Sequence, residues 1–259
     1  MSRANEAVWV VIPAYNEAAT IRDVVLRALA MLPHVVVVDD GSVDATRATL
    51  EDLPVEVLRN ETNRGKGASI ARGCSHALAG GAAAVITLDA DGQHRPEDIP
   101  LLIEAARQRP RRIVIAARTL DAAAAPKSRR CANKVADFWI GWAAGHRIVD
   151  SQSGFRLYPA DLLASVRPVT EGVSGFVFES EILIRGAAAG FTTTWVAIPA
   201  LYPPAARASH FRPVRDIVSI TRMVAWQLIS KGLHPAGLWR SLGGDTGKRA
   251  SYRASRLGR

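Results

Sequence analysis

Val85-Ile86-Thr87-Leu88 runs straight into Asp89-Ala90-Asp91-Gly92-Gln93-His94, and this junction carries the most pointed chemistry in the chain. An apolar, β-prone run stops at two carboxylates spaced i, i+2, followed by a glycine and an amide. In extended backbone, residues i and i+2 point to the same side, so Asp89 and Asp91 can converge just past the end of a strand. Two carboxylates at that range repel unless a cation lies between them. The hard oxygen donors of Asp89, Asp91 and Gln93 suit Mg2+ or Mn2+, with coordination positions left for phosphate oxygens. Asp and Gly are also ordinary turn formers, so the pair alone reads equally well as a solvated turn. Neighbouring strands that end in polar clusters at the same place would separate the two readings.

The elements around the junction supply them. Ala7–Ile12, closed by Pro13, predicts a buried strand, and Thr20 is placed to cap a helix over Ile21–Met31 with Ile21, Val24, Val25 and Leu29 on one face. Val35–Val38 shows no alternation, as expected of a strand covered on both faces, and a helix is expected from Asp44 to Leu50. Val55–Leu58, Val85–Leu88 and Ile113–Ala116 are further strands, with helices over Ala68–Ala79 and Pro96–Arg107. This alternation specifies an α/β fold with a mainly parallel central sheet flanked by helices. Such sheets bind ligands outside the carboxyl ends of their strands. Tyr15-Asn16-Glu17, Asp39-Asp40-Gly41-Ser42, Asn63-Arg64-Gly65-Lys66-Gly67 and Asp89–His94 each follow a strand, which makes a site at that edge. Lys66 between two glycines could cradle phosphate at a helix start or be a solvent lysine in a tight turn. The loop is not a G-x-x-x-x-G-K-[ST] P-loop, and no G-x-G-x-x-G follows the first strand.

The second half is less regular. Asp121–Pro126 is an alanine-rich connection, and a helix around Asn133–Ala144 crowds Phe138, Trp139, Ile140 and Trp142 together. Asp150–Tyr158 is a compact polar-aromatic segment, Gly175–Glu181 leads into a helix ending near Gly190, and Thr192–Ile198 is a late strand. A helix from Val214 to about Lys231 has a broad apolar face that suits core packing or a membrane interface carrying Trp226 equally well. From Arg240 the chain is basic and expected to be disordered; it reads first as a solvated end without function, and near lipid it would add attraction to anionic headgroups. The expected organisation is a catalytic domain over 1–212, an amphipathic helical region over 213–239 and a basic tail over 240–259.

At 259 residues, 48% hydrophobic and 22% charged, the chain can bury a sizeable core. Its net charge of +9 points to a polyanionic partner. Much of that excess lies in the tail and no nucleic-acid-binding pattern appears, so nucleic acid is not expected. Cys74 and Cys131 are far apart without metal-ligand spacing and read as reduced thiols of a cytoplasmic protein. The apolar run near the N-terminus is too short for a signal peptide. The uncharged stretch Gly186–Ala206 carries three prolines and does not read as a membrane span. The expectation is a cytoplasmic protein, peripheral at the inner face of the membrane if its partner is a lipid.

Taken together, Val10-Val11-Ile12-Pro13-Ala14-Tyr15-Asn16-Glu17, Val38–Ser42, Asn63–Gly67 and Asp89–His94 resemble the inverting family 2 glycosyltransferases with the GT-A fold, a Rossmann-like nucleotide-diphospho-sugar transferase architecture. Asp150–Arg156 and Phe178-Glu179-Ser180-Glu181 are similar to the polyprenyl- and dolichyl-phosphate sugar synthase branch. Each motif is weak alone; their order makes the match specific, over about residues 7 to 220. The resemblance implies that Pro13, Tyr15, Glu17, Asp40, Lys66 and Asp89 hold a GDP- or UDP-linked sugar. It implies a divalent metal on Asp89, Asp91 and Gln93, and catalytic roles for Asp91, Arg118 and Asp150. Arg130, Gln152, Arg156, Glu179 and Arg212 would meet the acceptor phosphate. A polyprenyl phosphate, with a second pKa of about 6, is largely dianionic at neutral pH and needs positioning by cations rather than a strong base. A hydroxyl of a glycan would need a base, for which Asp150 or Glu181 are the candidates. A sensor that binds nucleotide sugars without transferring them is the reading from another class, and the intact carboxylate pair argues against it.

Overall fold

A computed structural model describes residues 7–120, 127–166, 175–199, 201, 213–230 and 232–242. Its centre is built by valine. β1 (Val8–Ala14) and β2 (Val35–Asp39) pair in parallel from Val10↔Val35 to Ala14↔Asp39. All five residues of β2 are buried, which is why the run shows no polar alternation. β3 (Glu56–Arg59), β4 (Ala84–Thr87), β5 (Arg112–Ala117), β6 (Arg156–Pro159) and β7 (Thr192–Ala197) complete a seven-stranded sheet of order β3-β2-β1-β4-β6-β5-β7. The chain winds outward from β1 to β3 and then returns to the other side of β1 as β4, so the strand order reverses between β1 and β4. At such a switch point the connecting loops diverge and leave a crevice beyond the strand ends.

The sheet is mixed rather than parallel throughout. β6 lies between β4 and β5 and is antiparallel to both; its four residues have no strand signature of their own. Two helices, α1 (Ile21–Met31) and α3 (Ile99–Gln108), cover one face. Ile21, Val24, Val25, Leu102 and Ile103 bury there against Val10, Ile12 and Ile86. The other face takes α2 (Lys66–Ala79), α4 (Lys127–Ala144), α5 (Ala160–Ser165) and α6 (Gly175–Ala188), where Ile70, Ile140, Ile182 and Leu183 bury with Val11, Val36 and Val85. Neighbouring residues of β1 thus serve opposite cores, as a period of two requires. α2 approaches the sheet so closely that a side chain at Gly73 would run into Val11.

α7 (Pro213–Ser230) packs on α6 and α4, and α8 (Pro235–Leu242) packs on α4. α8 runs across the boundary expected at 240, while the boundary expected at 212 lies outside the described residues. The helix expected from Asp44 is reduced to a short 3-10 turn at Ala48–Leu50. The Asp44 carboxylate is spent instead on the N–H groups of Thr46 (2.9 Å) and Ala18 (3.2 Å), which offer it a turn in place of a helix. α4 starts six residues before the expected Asn133, placing Arg130 on a helix. No helix among the described residues is long and apolar enough to cross a membrane.

Candidate active site

The loops after β1, β2 and β3 are laced to one another by hydrogen bonds from backbone N–H groups to side-chain oxygens. Asn16 adopts a left-handed conformation (φ 57°). It donates its N–H to Ser42 Oγ and accepts from the Val43 N–H on Oδ1, each at 2.9 Å. Glu17 donates its N–H to Thr46 Oγ1 (2.8 Å), and its carboxylate accepts from the Thr20 hydroxyl (3.2 Å), which bonds here rather than capping α1. Pro13 is buried, while Tyr15 and Glu17 stand half-buried at the crevice mouth.

Asp40, expected to contact the nucleotide, is buried and already spent. It accepts from the Asn60 amide (2.7 Å) and from the N–H groups of Arg64 (2.9 Å) and Gly65 (2.8 Å). Its place is inside the loop that leads into α2, because a buried carboxylate must be satisfied by donors. Its neighbour Asp39, given no role by the sequence reading, accepts from the Ser42 N–H on Oδ1 (2.9 Å) but keeps Oδ2 without a hydrogen bond, with Arg59 Nε 3.7 Å away.

Past β4, Asp89 and Asp91 share one environment with opposite consequences. Lys66 Nζ bridges Asp89 (2.7 Å) and Glu179 (2.8 Å). Burial works against charge on Asp89, yet Lys66 outweighs it and holds that carboxyl below the usual range. The two carboxylates in turn hold the Lys66 ammonium above the ordinary lysine range despite its burial. Asp91 accepts only the Gln93 N–H (2.9 Å) among its recorded contacts, and burial together with the charge of Asp89 pushes its carboxyl up to about 6. Such a carboxylate, facing a second one and lacking a cation of its own, is relieved by binding a metal ion. Among the described residues no three His, Cys, Asp or Glu side chains gather as a closed metal site. Two carboxylates with the Gln93 amide fit an open site for Mg2+ or Mn2+, where phosphate oxygens complete the shell.

The loop 150–154 closes the site from the other side. A side chain at Gly154 would come within 2.5 Å of Asp89 Oδ2, so only glycine allows this approach. Thr87 Oγ1 donates to the Gly154 carbonyl (2.7 Å), and Asp150 takes a left-handed turn (φ 52°). Arg118 grips Asp150 in a fork, Nε to Oδ2 (2.9 Å) and Nη2 to Oδ1 (2.7 Å), with its backbone N–H adding a third bond (2.9 Å). Burial would raise the Asp150 carboxyl, but these bonds outweigh it and hold the group ionised below its ordinary range. His94 is buried against Phe155, keeps Nδ1 without a hydrogen bond, and is held neutral, its pKa pushed down to about 4 by burial.

Arg156 and Glu179, expected to meet the acceptor, are both engaged within the protein. Arg156 is fully buried and donates to the carbonyls of Ser151 (2.6 Å), Ser153 (2.7 Å) and Glu179 (2.7 Å). It pins the loop to α6 and has no face left for a ligand. Glu179 is buried beside Lys66, on the carboxylate side of the site. Gln152 is half-buried, its amide on Ser151 Oγ at 3.3 Å. Arg212 lies outside the described residues.

A cleft of about 450 Å³ opens beside Arg118 and Asp150, lined by Arg130, Lys134, Asp137 and Arg147 among others. Lys134, Asp137 and Arg147 went unassigned from sequence, although the signal was available. Arg130, Asn133, Lys134, Asp137, Phe138 and Gly141 follow i, i+3, i+4, i+7, i+8, i+11, one face of a helix. Asp137 also receives the N–H groups of Asp150 (3.1 Å) and Ser151 (2.7 Å), tying α4 to the 150–154 loop.

Residues 9–152 match the family model described as glycosyl transferase family 2. The chain belongs to that family. The transferase is 28% identical over 207 residues to polyprenol monophosphomannose synthase of Mycolicibacterium smegmatis, covering 76% of this chain and 78% of the relative. It is 30% identical over 193 residues to undecaprenyl-phosphate mannosyltransferase of Micrococcus luteus, covering 71% and 79%. In fold it superposes on mannosyl-3-phosphoglycerate synthase from Rubrobacter xylanophilus with a TM-score of 0.67 at 22% identity, over 87% of this chain and 75% of that one. Glucosyl-3-phosphoglycerate synthase from Mycobacterium tuberculosis, solved with Mn2+, uridine diphosphate and phosphoglyceric acid, gives 0.61 at 21% identity, over 88% and 79%. The fold of the transferase is therefore GT-A.

Proposed function

We propose that the transferase moves a sugar from a nucleotide-sugar donor to the phosphate of a polyprenyl-phosphate lipid, with inversion and with a divalent metal. The observation that carries this reading is the state of the acids around the cleft. Asp150 is ionised with both oxygens held by Arg118, Asp137 receives two backbone N–H groups, and Glu181 is buried in an ion pair with Arg185 (2.6 Å). Burial raises the Asp137 carboxyl, but both of its oxygens already accept backbone N–H groups, and the other two acids are held in ion pairs, so none is placed to take a proton from the acceptor. Arg118, Arg130, Lys134 and Arg147 suit an acceptor that arrives as an anion. The names of the mannosyl-transferring relatives, which act on polyprenyl-type phosphates, point the same way.

In this reading Asp89, Asp91 and Gln93 hold Mg2+ or Mn2+, which when bound neutralises charge on the departing nucleoside diphosphate. Lys66 keeps Asp89 ionised and aimed at the crevice. Tyr15 and Glu17 flank the nucleoside. Arg118, fixed by Asp150, orients the attacking phosphate oxygen toward the anomeric carbon opposite the leaving group; the carbon–oxygen bond to the diphosphate breaks as the new one forms. Because the nucleophile is already an anion, no proton has to be removed.

Purified protein with Mn2+ and a panel of GDP- and UDP-sugars should release nucleoside diphosphate when given polyprenyl phosphate and not when given polyprenol. Equal turnover of the alcohol would replace this reading with transfer to a hydroxyl, and tight donor binding without turnover on either would leave a nucleotide-sugar sensor.

A further inference from the structure

The apolar surface of this chain is unevenly distributed. Of the eleven exposed large hydrophobic side chains among the described residues, eight lie on α4, α7, α8 and the turn between the last two. They include Phe138 and Trp139 on α4, Trp226 and Ile229 on α7, and Trp239 and Leu242 on α8. Trp226 is 70% exposed and Trp239 80%. A helix that packs on one side normally turns a polar face to water. α7 turns a mixed face outward: Val224 and Leu228 bury in the core, while Trp226 and Ile229 are exposed beside Thr221, Arg222 and Ser230. Packing within the described chain leaves these tryptophans unaccounted for.

The three helices present one surface. α4 packs against both α7 and α8. Trp142 donates its indole N–H to the Leu233 carbonyl (3.0 Å) and stacks on Trp139 with ring centres 5.3 Å apart. The same surface frames the cationic cleft. Ser241 of α8 lines that cleft together with Arg130, Lys134 and Phe138 of α4, and Phe138 is itself one of the exposed apolar side chains. The sequence beyond Leu242 adds five Lys and Arg residues against one Asp.

We infer that the α4–α7–α8 face docks on an anionic bilayer surface, with its tryptophans at headgroup level and the mouth of the cleft opening onto the lipid phosphates. Tryptophan is the residue whose amphipathic ring favours the membrane–water interface. Cations beside it add attraction to acidic headgroups. A second copy of this chain is the rival occupant. A two-fold interface sets a patch against itself, and here that would oppose Arg130, Lys134 and Arg147 to their own copies at a net charge of +9. The charge favours lipid. The orientation of the cleft rests on the proposed lipid-phosphate acceptor; the docking does not.

The test uses full-length protein and vesicles of phosphatidylcholine with phosphatidylglycerol, containing no polyprenyl phosphate. Wild type should float with the vesicles, and tryptophan fluorescence should be quenched by lipids brominated near the headgroup. A Trp226→Ser/Trp239→Ser double variant should bind at least about tenfold more weakly, a loss of ~1.4 kcal/mol. Its thermal shift with nucleotide sugar and its turnover of a water-soluble short-chain polyprenyl phosphate should stay at wild-type levels. Wild type that fails to float, or a folded double variant that floats as well as wild type, overturns the docking. So does wild-type protein that is dimeric in solution and becomes monomeric on the double substitution. Failure of wild type to turn over the short-chain phosphate would sink the acceptor reading while leaving the vesicle result standing.

Discussion

The two sides of the cleft are held by different means. Before Asp91, the strand-end loops bond to one another through short, repeated contacts: Asn16 with Ser42 and Val43, Glu17 with Thr46, Asp40 with Arg64 and Gly65. After Arg118, a few side chains that each make several bonds hold the 150–156 segment: Arg118 forks Asp150, Arg156 reaches three carbonyls, and Asp137 takes two N–H groups from a loop thirteen and fourteen residues away. The carboxylate side is thus preorganised by many small ties on a parallel sheet, and the cationic side by single keystones between helices and an antiparallel strand. Substitutions should therefore act locally and on donor chemistry in the first region, and on acceptor geometry in the second.

The comparison breaks first at Asp91. Asp91→Ala should reduce turnover by about a thousandfold or more, with the Mn2+ response lost, since a metal ligand acts in the transition state; nucleoside diphosphate release across a metal titration checks this. Next is Arg118→Lys, which keeps the charge but loses the fork on Asp150. It should lower kcat/KM for the acceptor by about 10- to 100-fold while donor affinity, read by calorimetry, stays unchanged. If donor affinity falls equally, the two sides are not separable.

Asp40→Ala removes an acceptor from three buried or half-buried donors and should cost about 2–4 kcal/mol in urea unfolding, with weaker donor binding as the 60–65 loop relaxes. The smallest effect concerns pH. The Asp91 carboxyl stands near 6 in the folded protein against an ordinary 3.8, so the folded state holds this proton more tightly than the unfolded chain. That contribution to stability is full below about pH 4 and is lost as pH rises through 6. The melting temperature of metal-free protein should accordingly show a downward component between those values that Asp91→Asn removes. Added Mn2+ should stabilise more at pH 7 than at pH 5, because the proton and the metal compete for one carboxylate.

How far the sequence reached can be followed residue by residue. The strand-end positions of Tyr15, Glu17, Asp89 and Asp91 were legible because each lies within a few residues of an apolar run, and strand ends announce themselves through such runs. β6 was not, since four residues between two longer strands carry no period. The cleft-lining face of α4 was legible in principle, yet Arg130 fell outside a helix judged to begin at its apolar part. Arg156 and Glu179 carried the right chemistry in the right motif, and burial gave both of them other work.

The sequence by itself determined the α/β order, the strand-end clusters and the convergence of Asp89 with Asp91, because these follow from local hydrophobic period and from the two-residue repeat of extended chain. The tertiary structure decided which polar groups pair with which: Lys66 with Asp89 and Glu179, Asp40 with its own loop, Arg118 with Asp150, Arg156 with three carbonyls. It also decided that Trp226 and Trp239 face outward. Partner choice and exposure depend on contacts between residues far apart in the chain, and no local spacing encodes them.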